Sequence, residues 1–273
     1  MPAPLSYLAA WRELQPPVRI GAPAPGTLTV GELATEHGYQ LVTAAMAALG
    51  LTRRSVQLAP LHLANWATME LLARPVFTDG VWIAASAHQL GFVIDEHGDM
   101  PELWLAAEAP ARPCPRAPVV GASIGGLLGP VAGMVTRCSR IHQRAVTTIA
   151  AESAIAGLFR TARAAGHPDD ARWLDEASAT VAKALGARVT SERMCCRPDE
   201  GPTVALPARS LCCVLNPKTS CHSCPGCPKT GNAAEREQGV TRWLASMDDE
   251  EFLETTGRPR HERVTADDTA CDR

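Results

Sequence analysis

The stretch Arg209-Ser-Leu-Cys-Cys-Val-Leu-Asn-Pro-Lys-Thr-Ser-Cys-His-Ser-Cys-Pro-Gly-Cys-Pro228 puts thiols at Cys212, Cys213, Cys224 and Cys227, a C-C-x10-C-x2-C spacing. Such a segment has too few apolar side chains to make a core of its own. It reads as a metal-organised loop attached to a separately folded body. Thiolates are soft donors that select zinc, copper(I) or iron–sulfur clusters. The C-x2-C half sets two sulfurs on one tight turn, for which Pro225 and Gly226 are suited. The adjacent pair is unusual, because neighbouring side chains of extended backbone point to opposite sides. Two such thiols serve a dinuclear cluster, with two thiolates per iron, more readily than a single ion. A structural zinc site usually draws on two separated knuckles, and here one is missing. The residues alone leave three chemistries open: a [2Fe-2S] cluster, a zinc ion or a thiol–disulfide site. Cys221 offers an alternative register, Cys195 and Cys196 form a second adjacent pair, and His222 could replace a thiol.

The rest of the chain narrows the context. Its 273 residues suffice for one large domain or two small ones. An apolar content of 46% and a mean hydropathy of −0.05 are those of an ordinary soluble protein. The net charge of −3 supplies no strong field for nucleic acid or an anionic membrane. Lysine occurs only at Lys183, Lys218 and Lys229. Residues 1–15 lack a basic segment followed by an apolar run, so a cytosolic location is expected. Ten cysteines in that reducing compartment argue for metal or redox chemistry rather than a disulfide framework. The longest apolar run, 119–135, is interrupted by glycines and Pro130, and reads as a buried segment rather than a membrane span.

Along the chain, 16–28 is rich in Pro and Gly and reads as a loose connector. Thr29 then caps a short helix expected to end at Gly38, and a second helix is expected over 40–49, stopping at Gly50. This pair superficially resembles the start of a DNA-binding helix-turn-helix, but no basic recognition face follows. Pro60 fits the first turn of a core helix ending before Pro75, with Leu61, Ala64, Thr68, Leu71 and Leu72 on one face. His62 and Asn65 lie inside it. Segments 81–85, 90–94 and 103–106 read as a small antiparallel meander with Trp82, Phe92 and Trp104 in its core. Residues 110–118, including Cys114, read as a proline-rich hinge. Two helices are expected next. Ile141, Ala145, Ile149, Ala156 and Phe159 line one; Trp173, Ala177, Val181 and Leu185 line the other, capped by Asp169 or Asp170. A last helix is expected over 233–253, and a polar tail from Gly257.

Residues 209–228 resemble the C-terminal motif of the FhuF-like ferric siderophore reductases. The resemblance implies that Cys212, Cys213, Cys224 and Cys227 bind a [2Fe-2S] cluster, with Arg209 and Ser210 as a family-like lead-in. Outside the motif the chain agrees with the family in outline: helical, alanine-rich, with short strands midway. It departs from the family in running well past Cys227 and in carrying Cys221 and the Cys195–Cys196 pair. The expected activity is one-electron reduction of a ferric siderophore. Backbone N–H groups over 214–223, the Ser220 or Ser223 hydroxyls, Lys218 and Lys229 are candidates to tune the cluster or guide an anionic chelate. No nucleotide-binding fingerprint is present, so electrons are expected from an external donor such as a ferredoxin or a flavoprotein reductase.

Competing readings remain. Gly121-Ala-Ser123-Ile-Gly125 matches the nucleophile elbow of α/β hydrolases, with His142 and His167 downstream, but lacks a convincing strand before it. A zinc-binding regulatory module, or a cluster-bearing electron carrier or redox sensor, would keep the cysteines without the chelate. His62, Asn65, Trp66 and the arginine-rich segment 137–144 are polar or aromatic enough to line a pocket. The expected architecture is α+β and predominantly helical, with a small antiparallel meander and a C-terminal Cys-rich iron–sulfur loop. Its divisions are a substrate-binding domain over 1–190, the cysteine module over 191–232, and a helix with polar tail over 233–273. The expected setting is the cytosol, with peripheral attachment to the inner membrane face as a variant, and no nucleic-acid partner.

Overall fold

The computed structural model describes residues 17–96, 100–167, 171–189, 193–196, 204–207 and 232–247. These build a mostly helical α+β protein with three small sheets. The expected N-cap at 169 or 170, the four cluster cysteines and the tail from Gly257 lie outside the described residues.

The Pro/Gly-rich opening is not a loose connector. It holds two edge strands, β1 (Val18–Ile20) and β2 (Leu28–Thr29), which three- and two-residue pairings were too short to announce. Thr29 then caps α1 (Val30–Leu33) through a complete capping box with Glu32. Gly38 does not end that helix. It lies inside α2 (Glu36–Ala48), where its N–H donates to the capping Thr35 Oγ1. A side chain at Gly38 would strike the Glu32 backbone carbonyl, so glycine is there for the close approach of two helices. Gly50, at φ +71°, reverses the chain after α2.

The core helix α3 (Arg53–Thr68) starts earlier than Pro60, with Thr52 Oγ1 accepting from the Ser55 N–H as its cap. Pro60 therefore sits mid-helix, where its ring nitrogen leaves the Val56 carbonyl without its usual donor. The helix does not stop before Pro75. It widens into a π-helix over Met69–Ala73 and continues as α4 (Arg74–Asp79), closed by Gly80 in the left-handed region. The wide turn accommodates Pro75, which has no N–H to give a regular α-turn. Leu61, Ala64, Thr68, Leu71 and Leu72 are all fully buried.

The expected three-stranded meander is replaced by two sheets. β3 (Val81–Ile83) pairs antiparallel with β6 (Ala111–Pro113), so the first half of the proline-rich hinge is a strand. β4 (Leu90–Val93) and β5 (Glu102–Leu105) form the centre of a four-stranded sheet of order β1-β5-β4-β2, in which β1 runs parallel to β5. Trp82, Phe92 and Trp104 are buried, and Trp104 Nε1 donates to the Gly21 carbonyl at 2.8 Å.

Three long helices complete the body: α5 (Ala117–Cys138), α6 (Gln143–Ala164) and α7 (Ala171–Ala184). By length and composition α5 could cross a membrane, but 56% of its most apolar window is buried against the rest of the protein. Gly121 and Gly125 let it meet α7 backbone to backbone: a side chain at Gly121 would strike the Ala177 carbonyl, and one at Gly125 would come within 2.5 Å of Ala184 Cβ. Along α6 the expected stripe is too narrow. Ala156 is only half-buried and Ile141 precedes the helix, whereas Ala150, Ala154 and Leu158 are fully buried. This helix is enclosed on most sides.

Beyond α7 comes an element that sequence patterning did not announce, an antiparallel hairpin of β7 (Arg193–Cys196) and β8 (Val204–Pro207). The last helix, α8 (Ala233–Ala245), closes at Ser246 and is shorter than expected.

Candidate functional site

The cysteine segment is framed by elements that pack together. β8 packs on α6, and its partner β7 packs on α8. In sequence, residues 208–231 link β8 to α8. Asn232 caps α8: its Oδ1 accepts from the Glu235 N–H at 3.0 Å, while Glu235 Oε2 accepts from the Asn232 N–H at 3.0 Å. Cys212, Cys213, Cys224 and Cys227 lie outside the described residues, as do Arg209, Ser210, Lys218, Ser220, Cys221, His222, Ser223 and Lys229. Among the described residues, no three His, Cys, Asp or Glu side chains come together to hold a metal.

Cys196 can be placed. It pairs with Val204 across the hairpin, is fully buried and is a free thiol. Burial pushes it up to about 11; a Thr241 hydrogen bond opposes that rise and the Glu237 charge adds to it. A thiol held this firmly in its protonated form is a poor metal ligand and nucleophile at neutral pH. Cys196 therefore acts as a packing residue that ties β7 to α8. Cys195, beside it, pairs with Ala205. Cys114 is half-buried, with its thiol raised by burial, and donates to the adjacent Pro115 carbonyl.

The remaining sequence candidates are dispersed. His62, Asn65 and Trp66 lie half-buried on α3, and Asn65 Nδ2 donates to the Ser153 carbonyl of α6 at 3.3 Å. The 137–144 segment forms the exposed end of α5 and the turn into α6, where His142 Nδ1 accepts from the Arg144 N–H. Gly121-Ala-Ser123-Ile-Gly125 is no nucleophile elbow. It lies within α5, and Ser123 Oγ donates back to the Val119 carbonyl at 2.9 Å, an ordinary helix contact.

Sequence reasoning missed a buried charge cluster. Glu70, on the π-helix, accepts from Arg74 Nε at 2.7 Å and from Arg160 Nη2 of α6 at 2.9 Å. One turn beyond Arg160, buried Arg163 is lowered to about 10, first by burial and then by the Arg160 charge. The i,i+4 spacing of Glu70 and Arg74 was a legible signal. The π-turn that buries Glu70, and the contact across to α6, were not.

No protein-family model, curated protein or solved structure matches this chain.

Proposed function

We propose that the chain is a [2Fe-2S] ferric siderophore reductase that releases iron by one-electron reduction. The observation that carries this reading is the C-C-x10-C-x2-C motif in 209–228. Its donor set fits the group: four thiolates supply two per iron. Cys212, Cys213, Cys224 and Cys227 would hold the cluster, which when bound supplies a one-electron couple. The substrate side is simple coordination chemistry. Hydroxamate and catecholate oxygens hold hard Fe(III) tightly and softer, less charged Fe(II) poorly. One electron added to the ferric ion therefore frees it while leaving the chelator intact.

The chain's own residues contribute support. The Asn232–Glu235 capping box and the β7–α8 packing around Cys196 anchor the two ends of the cysteine segment. Full burial and a raised thiol disfavour Cys196 as a competing ligand. This reading takes the electron from a separate donor protein such as a ferredoxin or flavoprotein reductase.

The deciding experiment is an anaerobic spectrum of freshly purified and, if needed, cluster-reconstituted protein, with iron and acid-labile sulfide counted on the same sample. Bands between about 400 and 600 nm that bleach with dithionite, with roughly two irons and two sulfides per chain, are expected. Ferrous iron should then appear in a chelator trap when a ferric hydroxamate is added to the reduced protein. One bound zinc and no colour would end the redox reading.

A further inference from the structure

The N-terminal ends of two helices carry cations where carboxylates are usual. α3 opens on Arg53 and Arg54, α6 opens on Gln143 and Arg144, and neither has an acidic residue in its first turn. The positive end of a helix favours anions, so cations there are held against the local field. A chain that accepts this repulsion twice leaves a local excess of positive potential.

The packing gathers that excess. Asn65 meets Ser153, Met69 lies against Gly157, and Glu70 pairs with Arg160, so α3 and α6 run parallel. Both N-termini therefore face the same end of the helical body. α5 finishes at the start of α6, bringing Arg137 in its last turn and Arg140 in the connecting turn. All five arginines are exposed, and among the described residues none has a carboxylate partner. The whole chain has a net charge of −3, so the remainder is more acidic than that figure. An extended polyanion or an anionic bilayer would meet that acidic remainder. A compact acidic protein matches a confined basic end.

We propose that Arg53, Arg54, Arg137, Arg140 and Arg144 form the docking surface for an acidic electron-donor protein. The docking claim stands on the charge arrangement; the donor's role rests on the reductase reading above. α6 joins the two, since the arginine end is its N-terminus and β8, from which the cysteine segment departs, packs on the same helix. On each encounter the donor loses one electron and the chain gains one, with no bond made and no proton moved. Such transient encounters rely on steering charge rather than large apolar interfaces.

The test compares wild type with R53Q/R54Q/R140Q/R144Q. The control is R172Q, an arginine with a 93% exposed side chain, paired with Glu176 on α7. Reduction by an acidic plant-type ferredoxin is followed by stopped flow from low to high salt, with dithionite as a small-molecule reference. Ferredoxin binding is measured by titration calorimetry on the same samples, a readout that needs no electron transfer. The quadruple variant should reduce at least about tenfold more slowly at low salt, converge with wild type at high salt, and keep its dithionite rate. Salt-sensitive ferredoxin binding lost in that variant, in a protein that holds no cluster, would support docking while ending the reductase reading. Equal rates and affinities for the quadruple variant and control would overturn the docking surface. So would wild type binding duplex DNA or phosphatidylglycerol vesicles but not ferredoxin.

Discussion

Glu70 and Arg160 join the π-helix to α6 through a 2.9 Å ion pair whose carboxylate is 3% exposed and whose guanidinium is 48% exposed. The asymmetry matters. Arg160 can turn to water if its partner is removed, and Glu70 cannot. Arg74, the second partner, approaches the other oxygen at 2.7 Å from the adjacent turn. The double variant Arg74→Gln/Arg160→Gln, which takes both guanidinium groups from the buried Glu70 carboxylate, is therefore expected to cost about 3 kcal/mol. Arg160→Gln, which leaves Arg74 in place, is expected to cost about 1 kcal/mol or less. Urea unfolding of the two variants checks the order; equal losses would mean that the carboxylate is not the buried partner.

The glycines of α5 give a second contrast. Gly121→Val must displace the Ala177 carbonyl of α7, which is backbone and cannot swing away. Overpacking of this kind costs about 1–3 kcal/mol or more. Gly126, in the same helix, has nothing within 4 Å of an added Cβ. Gly126→Ala is expected to stabilise by about 0.5–1 kcal/mol, by raising helix propensity. Melting temperatures should move in opposite directions; a fall in both would show that α5 and α7 do not meet at Gly121 alone.

Sequence reading succeeded where one periodicity decided the outcome. Leu61, Ala64, Leu71 and Leu72 recur at helical spacing, and all are buried. It failed where a short pairing or an irregular turn overrode local pattern. β1 and β2 are too short for alternation to show, and β3 pairs with β6 across the intervening β4 and β5 rather than with its sequence neighbour. Pro60 and Pro75 looked like a helix start and stop, because a proline ordinarily ends the hydrogen-bond ladder. Instead, tertiary burial carried the helix through Pro60, and a π-turn absorbed Pro75. The candidate site is legible in the opposite sense. Its proposed ligands come from the motif and the family resemblance and lie outside the described residues, whereas the buried Cys196 required the packing of β7 on α8.

Cys196 makes stability depend on alkaline pH. Burial chiefly raises its thiol from the ordinary 9.0 to about 11 in the folded protein. Both states hold the proton below about pH 9, so the native packing there is at full strength. Between about 9 and 11 the unfolded thiol ionises while the folded one does not, and stability falls. Cys196→Ala should flatten this part of the pH–stability curve, measured by denaturant midpoints from pH 8 to 11. An unchanged slope would remove the buried thiol as its source.

The cysteines should divide sharply when each is changed to serine. Cys212→Ser, Cys213→Ser, Cys224→Ser and Cys227→Ser each remove one of four thiolates from the proposed donor set, and each should abolish or strongly bleach the visible absorption. Cys114→Ser and Cys138→Ser change thiols that are half-buried and exposed respectively, outside the proposed donor set, and should leave iron content unchanged. Cys196→Ser should retain iron while losing some stability, because it replaces a buried packing thiol with a more polar hydroxyl. Cys221→Ser is the discriminating variant: retained iron supports the C-C-x10-C-x2-C register, and loss of iron with Cys212→Ser unaffected would move the ligand set to the Cys221-x2-Cys224-x2-Cys227 run. Iron and sulfide counts on anaerobically reconstituted variants decide between these registers.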